Sequence, residues 1–340
     1  MATPGSTLGE LGEAAVLARV FPRLPAASTT IVGPGDDAAV LGAPDGRYVV
    51  TTDMMIDGPD FRQAWSTPHD LGWKAAATNL ADVAAMGAVP TALVVAIAAP
   101  PSTDIALLEG IADGLRDACE ALAPGCGVVG GDLSSSATLT IAVTAFGDLE
   151  GRPPVLRSGA RPGDIVAVSG ELHLAARGLA LLFDRAVDDD GAPDTARAAA
   201  LRAEFPAELE AQLAPSPPLA DGPAAALAGA TAMLDVSDGL AIDGRRIADA
   251  SAVRLDLDST ELGVGFDTPA SRALNERFDA TSESGEAHAL LATFPPDATL
   301  PGGFRAIGRV VAGDGLSIDG VAHTGRGGWD PYAGDGAAER

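Results

Sequence analysis

Several aspartates in this sequence stand directly after short apolar runs and beside glycine, serine or threonine, where a chain usually keeps charge away from its core. The stretches are GPGDDAAV with Asp36 and Asp37, VVTTDMM with Asp53, NLADVAAMG with Asp82, VVGGDLSSS with Asp132, and LDVSDG with Asp235 and Asp238. Oxygen ligands from several segments suit hard divalent cations, and magnesium is usually held by a few carboxylates together with substrate phosphates. Because glycine lets backbone N–H groups approach a phosphate closely, the pattern indicates a Mg-nucleotide site.

Asp82 gives the clearest indication of buried charge. On a helix it shares a face with Ala75, Thr78 and Met86, which is small and apolar, so an ionised carboxylate there needs a cation or a donor. Each stretch taken alone is more often a turn or a helix cap than a metal site, and Ser237 could cap the helix that follows it. Spacing does not decide between these interpretations, because it does not prove that the segments converge.

Other kinds of catalytic site find no support in the sequence. Lys74 is the only lysine and no GxxxxGK[ST] motif occurs, which excludes a Walker lysine. The histidines His69, His173, His288 and His323 form no HExxH or Cys/His zinc pattern, and no GxSxG elbow, GxGxxG turn or protein-kinase signature is present. Cys119 and Cys126 form no CxxC pair, so both are interpreted as ordinary small residues.

Charge and hydropathy argue against several classes of binding partner. The formal net charge of -25 disfavours nucleic acid and anionic lipid, although much of it is explained by a solvated acidic surface. No apolar stretch reaches the roughly 18 residues of a membrane span, and no signal-peptide pattern opens the chain. We therefore expect a cytoplasmic protein that acts on a small molecule.

The length of 340 residues and the pattern of elements predict two domains. Helices are expected at about 68–86, 103–122, 172–184 and 195–213, and the first has the strongest signals, with Thr67 as cap and Pro68 in its first turn. An Asp-Gly pair at 45–46 predicts a hairpin between the strands AAVLG and RYVVTTD. The Pro- and Arg-rich segment GRPPVLRSGARPGD separates residues 1–155 from residues 156–340. The fold class expected is α+β: two α/β domains, of which the first has a mixed sheet with helices on one face and the second is an α/β sandwich-like domain.

The ordered series GDDAAV, TTDMMIDGPDF, KAAATNLADVAAMGA, GGDLSSS, RSGARPGD, DVSDGL and GWDPY resembles the thiamine-monophosphate kinases, and it covers nearly the whole chain. That family belongs to the aminoimidazole ribonucleotide synthetase-like superfamily. The resemblance implies a homodimer formed through the N-terminal sheets, with ATP as co-substrate and several Mg²⁺ ions between the two domains of each chain. It also implies direct transfer of the γ-phosphoryl group to thiamine monophosphate.

The resemblance also assigns roles to residues by motif. The implied metal ligands are Asp37, Thr51, Thr52, Asp53, Asp82, Asp132, Asp235 and Asp238. The implied ATP contacts are Gly130, Gly131, Arg157 and Ser237. Within these sets, Asp82, Asp235 and Asp238 are expected to be catalytic, and the expected substrate residues are Asp60, Glu286 and Trp329.

The departures from the family pattern fall at the substrate end of the motifs. Asp60 stands where the family usually has histidine before phenylalanine. The stretch SGEAHAL retains Gly285 and Glu286 but has Ala287 and His288 where the family motif has aspartate and tyrosine. A diverged Mg-nucleotide-binding paralogue, acting on another acceptor or inactive, is therefore the alternative function.

Overall fold

The computed structural model describes residues 7–11, 13–32, 39–262 and 286–324. Four residues singled out in the sequence, Asp36, Asp37, Gly285 and Trp329, lie outside this part of the chain.

The described residues form nine α-helices and thirteen strands, with several runs of consecutive helices or strands. The helices are α1 (Leu8–Leu11), α2 (Glu13–Val20), α3 (Pro68–Ala85), α4 (Ile105–Leu122), α5 (Leu174–Arg185), α6 (Thr195–Glu204), α7 (Pro206–Leu213), α8 (Asp221–Leu227) and α9 (Leu240–Ser251), with a 3-10 turn at Phe21–Arg23. The strands are β1 (Thr30–Val32), β2 (Val40–Leu41), β3 (Val49–Ile56), β4 (Val89–Ala99), β5 (Val128–Ser135), β6 (Thr140–Asp148), β7 (Ile165–Ser169), β8 (Ala232–Val236), β9 (Arg254–Leu257), β10 (Ala289–Phe294), β11 (Arg305–Val311), β12 (Gly315–Ile318) and β13 (Val321–Ala322). No described helix is long and apolar enough to cross a membrane.

The N-terminal half contains a four-stranded sheet in the order β3-β6-β4-β5. Strands β4 and β5 are parallel, whereas β6 pairs antiparallel with both β3 and β4, so the sheet is mixed. Helices α3 and α4 pack together on one of its faces, where Leu80, Leu93 and Ile111 are fully buried. The predicted mixed sheet with helices on one face is confirmed.

Helix α3 begins where the sequence predicts, because its first turn satisfies its own backbone groups. Thr67 Oγ1 accepts from Asp70 N at 3.1 Å, and the Asp70 carboxylate accepts from Thr67 N at 2.9 Å. The helix crosses α4 so closely that a Cβ on Gly72 would lie 2.0 Å from the Ile111 carbonyl oxygen. As a result α3 is buried along most of its length and forms a rigid element of the core.

The C-terminal half contains a seven-stranded sheet in the order β13-β12-β9-β11-β7-β10-β8. Helix α9 covers one face, where Leu234, Ile247 and Leu291 meet, and α8 covers the other beside Met233 and Phe294. The chain passes between the two sheets in residues 149–164. The predicted domain boundary near residue 155 falls within this passage and stays a prediction.

Two details of the predicted elements are wrong. The Asp45-Gly46 pair does form a turn, with Gly46 at φ 77°, but β2 pairs with β1 while β3 pairs with β6, so no hairpin forms there. The helix expected over 195–213 is divided into α6 and α7 at Pro206, which has no N–H to continue the backbone hydrogen bonds.

Helix α3 also binds the C-terminal half of the chain. Arg202 on α6 donates from its two Nη atoms to the Asp70 carboxylate, at 2.8 and 3.1 Å. Trp73 Nε1 donates to the carbonyl oxygen of Pro215 at 2.7 Å. The two halves therefore share one buried helix, and this helix carries Asp82.

Candidate functional site

A cleft of about 750 Å³ lies where the two sheets approach each other. Its walls include Thr51 of β3, Asp82 of α3, Asp235 of β8 and Arg157 of the connecting segment. Ligand sites in enzymes commonly have this size and combine apolar walls with a few converging polar groups. Four residues that the sequence assigned to metal or ATP thus line a single cavity.

The side of β3 that faces α3 supplies polar groups to this cleft. Thr51 Oγ1 donates to Asp82 Oδ2 at 2.9 Å, and the backbone N–H of Asp53 donates to Asn79 Oδ1 at 3.0 Å. Thr51 and Asp53 share this face because side chains two apart on a strand point the same way. A helix and a strand together therefore place a hydroxyl and two carboxylates next to each other.

Burial and, after it, the charges of neighbouring carboxylates determine the electrostatics of the cluster. Burial, followed by the charges of Asp235 and Asp53, raises the pKa of Asp82 to about 7. Burial and the charge of Asp235 likewise raise the pKa of Asp53. Carboxylates that disfavour one another's ionisation are compensated by a cation, and their oxygen donors suit Mg²⁺. Within the described ranges, no three acidic, histidine or cysteine side chains already form a set that could hold a metal ion.

The turn after β8 is organised by a residue to which the sequence analysis gave no role. Asp243 is fully buried, and its Oδ2 accepts from the backbone N–H groups of Asp238 and Gly239 at 3.0 and 3.1 Å. Arg246 donates to Asp238 and to Asp243, at 2.6 Å in both cases. The side chain of Ser237 does not cap α9, since the N-cap residue is Gly239, which makes no side-chain cap hydrogen bond. Asp243 was visible in DVSDGLAID as a third aspartate, but sequence alone did not show its partners.

Glu286 is held by partners from two helices. Its Oε2 accepts from Lys74 Nζ at 2.6 Å and from the side-chain amide of Gln212, while its backbone N–H donates to Ser237 O at 2.6 Å. Burial opposes ionisation of Glu286, but the Lys74 ammonium, together with smaller contributions from His288 and the Gln212 amide, holds the pKa of this carboxyl below its usual value. The only lysine of the chain therefore fixes Glu286 beside the Asp235–Asp238 turn.

The three residues predicted to bind the substrate differ in their structural surroundings. The Asp60 carboxylate accepts from Ile56 N at 2.7 Å and so closes the turn after β3. Glu286 already engages Lys74, and Trp329 lies outside the described residues. The assignment of these residues to the substrate stays a prediction.

Thr52 and Asp132 are not brought to the cluster within one chain. Thr52 lies on the opposite face of β3, where it donates to Val143 O at 2.9 Å. Asp132 on β5 lies in register with the exposed Met54 on β3, with β6 and β4 between them. At the usual strand spacing the two residues are therefore about 14 Å apart. The two-residue period of a strand explains why neighbours in the TTD motif separate to opposite faces. Asp37 lies outside the described residues, and the roles of all three as ligands stay predictions.

The glycines of the GGD stretch have different environments. A Cβ on Gly131 would lie 1.9 Å from the carbonyl oxygen of Val95, so the close approach of β4 alone requires glycine there. A Cβ on Gly130 would meet nothing within 4 Å. Both glycines line a small apolar cavity of about 100 Å³ under α2 rather than the large cleft. Their proposed contact with ATP is not tested by this arrangement.

Comparisons with known proteins agree on one family. The family model for AIR synthase related protein, N-terminal domain, matches residues 35–149. The thiamine-monophosphate kinase of Mycobacterium tuberculosis is 44% identical over 336 residues, which cover 98% of this chain and 95% of that protein. The solved thiamine-monophosphate kinase of Stenotrophomonas maltophilia K279a has a TM-score of 0.72 at 30% identity and covers 91% of this chain and 96% of its own. The structure of AaThiL complexed with AMPPCP and TMP has a TM-score of 0.70 at 27% identity, covering 96% of this chain and 99% of its own.

Replacing Asp82 with asparagine should separate stability from activity. The change removes a charge that Asp53 and Asp235 repel, so we expect a higher melting temperature in the absence of divalent ions. We expect the stabilisation by Mg²⁺ to disappear and ATP turnover to fall at least about 100-fold, because electrostatic positioning dominates phosphoryl transfer. Scanning calorimetry and a turnover assay measure these effects, with Asp297→Asn as an exposed control. Near-normal turnover in Asp82→Asn would refute the assignment.

Removing the buried ammonium should destabilise the protein through Glu286. Lys74 has a side chain only 7% exposed, and Lys74→Met leaves the Glu286 carboxylate without its cation. We expect a loss of about 3 kcal/mol in the free energy of unfolding, measured with urea. The double variant Lys74→Met/Glu286→Gln should recover part of that loss. Equal losses in the single and double variants would show that the ion pair is not the cause.

Proposed function

We infer that this chain, which belongs to the thiamine-monophosphate kinase family, transfers the γ-phosphoryl group of ATP to the phosphate of thiamine monophosphate and forms thiamine diphosphate. The observation that carries this proposal is the cleft between the two sheets, where the Asp82 and Asp235 carboxylates face Thr51 and Arg157. Full-length similarity to kinases of this name supports the same reaction.

Residues of this chain have distinct parts in such a transfer. Asp82 stands on a rigid buried helix, and Asp235 lies one residue before the end of a fully buried strand, so both can hold a charge at a fixed position. Arg157 lines the same cleft and supplies a cation for a phosphate. Direct transfer needs no covalent nucleophile from the protein, only positioning and charge compensation.

We propose that several Mg²⁺ ions are bound by this cluster. Asp53, Asp82, Asp235 and Asp238 have the donor chemistry and the mutual repulsion that a divalent cation relieves. When bound, the ions would neutralise the phosphates of both anionic reactants. Further ligands proposed from the family motifs are Asp37, Thr51, Thr52 and Asp132. Gly130, Gly131 and Ser237 are proposed as ATP contacts on the same basis.

The reaction is tested by incubating the purified protein with ATP, Mg²⁺ and thiamine monophosphate. We expect ADP and thiamine diphosphate in equal amounts, measured by liquid chromatography, and no diphosphate when thiamine replaces thiamine monophosphate as acceptor. Asp82→Asn serves as the inactive control. ATP hydrolysis without thiamine diphosphate would contradict the proposal and favour the diverged paralogue, whose altered acceptor motif includes Ala287 and His288.

We also propose that the chain forms a homodimer through the face of the four-stranded sheet opposite α3. Val50 and Met54 are each 58% exposed on this face, and Phe146 lies beside them on β6. Exposed apolar surface of this kind commonly marks a protein interface. Thr52 and Asp132 lie on the same face, so a second copy would cover two of the ligands predicted from the motifs.

The dimer is tested by light scattering at micromolar concentration. The wild-type chain should have twice the mass of one chain, and Met54→Asp should shift it toward monomer because an interface disfavours a buried unpaired charge. Leu227→Asp is a matched control, since Leu227 is 74% exposed on α8, away from that sheet face. A monomeric wild-type protein would count against the proposal.

A further inference from the structure

Residues 286–288 have an unusual backbone beside the carboxylate cluster. Glu286 and His288 both adopt the left-handed region, with φ of 65° and 47°, although neither is glycine. Two hydrogen bonds hold the segment against the end of β8, from Glu286 N to Ser237 O at 2.6 Å and from His288 N to Val236 O at 2.8 Å. Strained residues persist only where surrounding contacts fix them, and they concentrate at functional sites. Here the strained backbone places an imidazole next to Asp235.

The imidazole of His288 lacks a good partner for either nitrogen in the described structure. Its side chain is 8% exposed, and Nδ1 lies 3.5 Å from Asp235 Oδ2, which is long for a hydrogen bond. Nε2 is buried and has no hydrogen-bond partner among the described residues. Buried polar atoms are nearly always satisfied, so these two nitrogens indicate a missing partner.

The surroundings of His288 are strongly negative. The Asp235 carboxylate lies beside the ring, and the Glu286 carboxylate belongs to the same strained segment, two residues before it. Lys74 is bound to Glu286 and does not compensate Asp235 directly. A partner for both the imidazole and the carboxylate is therefore expected to be cationic.

We propose that His288 is a nitrogen ligand of a divalent cation that it shares with Asp235, and that it makes this site bind first-row transition ions more tightly than Mg²⁺. The proposal rests on the proposed Mg-nucleotide function and refines its metal chemistry. Two ligands about 2.1 Å from one ion lie about 3 to 3.5 Å apart, which matches the separation of His288 Nδ1 and Asp235 Oδ2. Imidazole favours transition ions, whereas magnesium prefers oxygen ligands alone.

The test uses Mn²⁺ as the probe, added to the full chain alone and together with pyrophosphate, which contains no nitrogen. Electron spin-echo modulation detects a ¹⁴N nucleus directly bound to Mn²⁺, so a modulated signal is expected in the wild type. His69→Gln is the matched control, since His69 is half-exposed and lies about 20 Å along α3 from Asp82. The ¹⁴N modulation of the His69→Gln variant should equal that of the wild type.

Two variants remove the imidazole in different ways. His288→Phe keeps the ring shape, whereas His288→Asn tolerates the left-handed backbone and secures the result if the first variant unfolds. Both should lose the ¹⁴N modulation and bind Mn²⁺ about tenfold more weakly by calorimetry, with Mg²⁺ affinity changed less than about twofold.

The outcomes separate this inference from the function on which it rests. If Mn²⁺ binds the wild type without ¹⁴N modulation, His288 is only a hydrogen-bond partner of Asp235, and the inference is overturned while the proposed kinase site stands. If Mn²⁺ does not bind even with pyrophosphate, both the inference and the proposed metal site are overturned. Unchanged modulation in His288→Asn would also refute the role of His288.

Discussion

The desolvation and mutual repulsion of carboxylates that share one cleft are the constraint on which the site depends. Asp82 and Asp235 come from different halves of the chain, and burial together with the charge of Asp235 raises the pKa of Asp82 and of Asp53. Such an arrangement weakens the folded state unless a cation enters, so the fold must hold these groups together by other contacts. The same charges are those proposed above to bind Mg²⁺.

Helix α3 supplies those other contacts. It packs tightly on α4, is capped by Thr67 and Asp70, and is tied to the C-terminal half through Arg202 and Trp73. Few residues along it face solvent, so a shift of Asp82 would disturb packing on several sides at once. The position of the Asp82 carboxylate is therefore set by the core of both halves rather than by a loop.

The parts of the fold that follow from local chemistry could be predicted from sequence. The start of α3 is an example, since the capping residues and Pro68 lie next to one another in the chain. The hairpin at Asp45-Gly46 was predicted wrongly because strand pairing depends on a distant partner, β6, rather than on the turn.

The candidate site, too, could be predicted only as far as local sequence determines it. Residue types indicated the carboxylates of Asp53, Asp82 and Asp235, whose mutual influence the structure shows. Local sequence did not indicate that Thr52 faces away from them, nor that Asp243 and Arg246 hold Asp238. These facts depend on which face of β3 is turned toward α3 and on side-chain contacts within the turn after β8, and a sequence motif encodes neither.

The pairing of Lys74 with Glu286 has a consequence for chemical labelling. Lys74 is the only lysine in the sequence, and its ammonium is buried and engaged by a carboxylate. Reagents that acylate lysine amines need a free, unprotonated and accessible nitrogen, which the closed contact withholds. The rate of acylation at Lys74 would therefore report how often α3 and the segment around Glu286 separate. The molecule thus contains its own reporter of contact between its two halves.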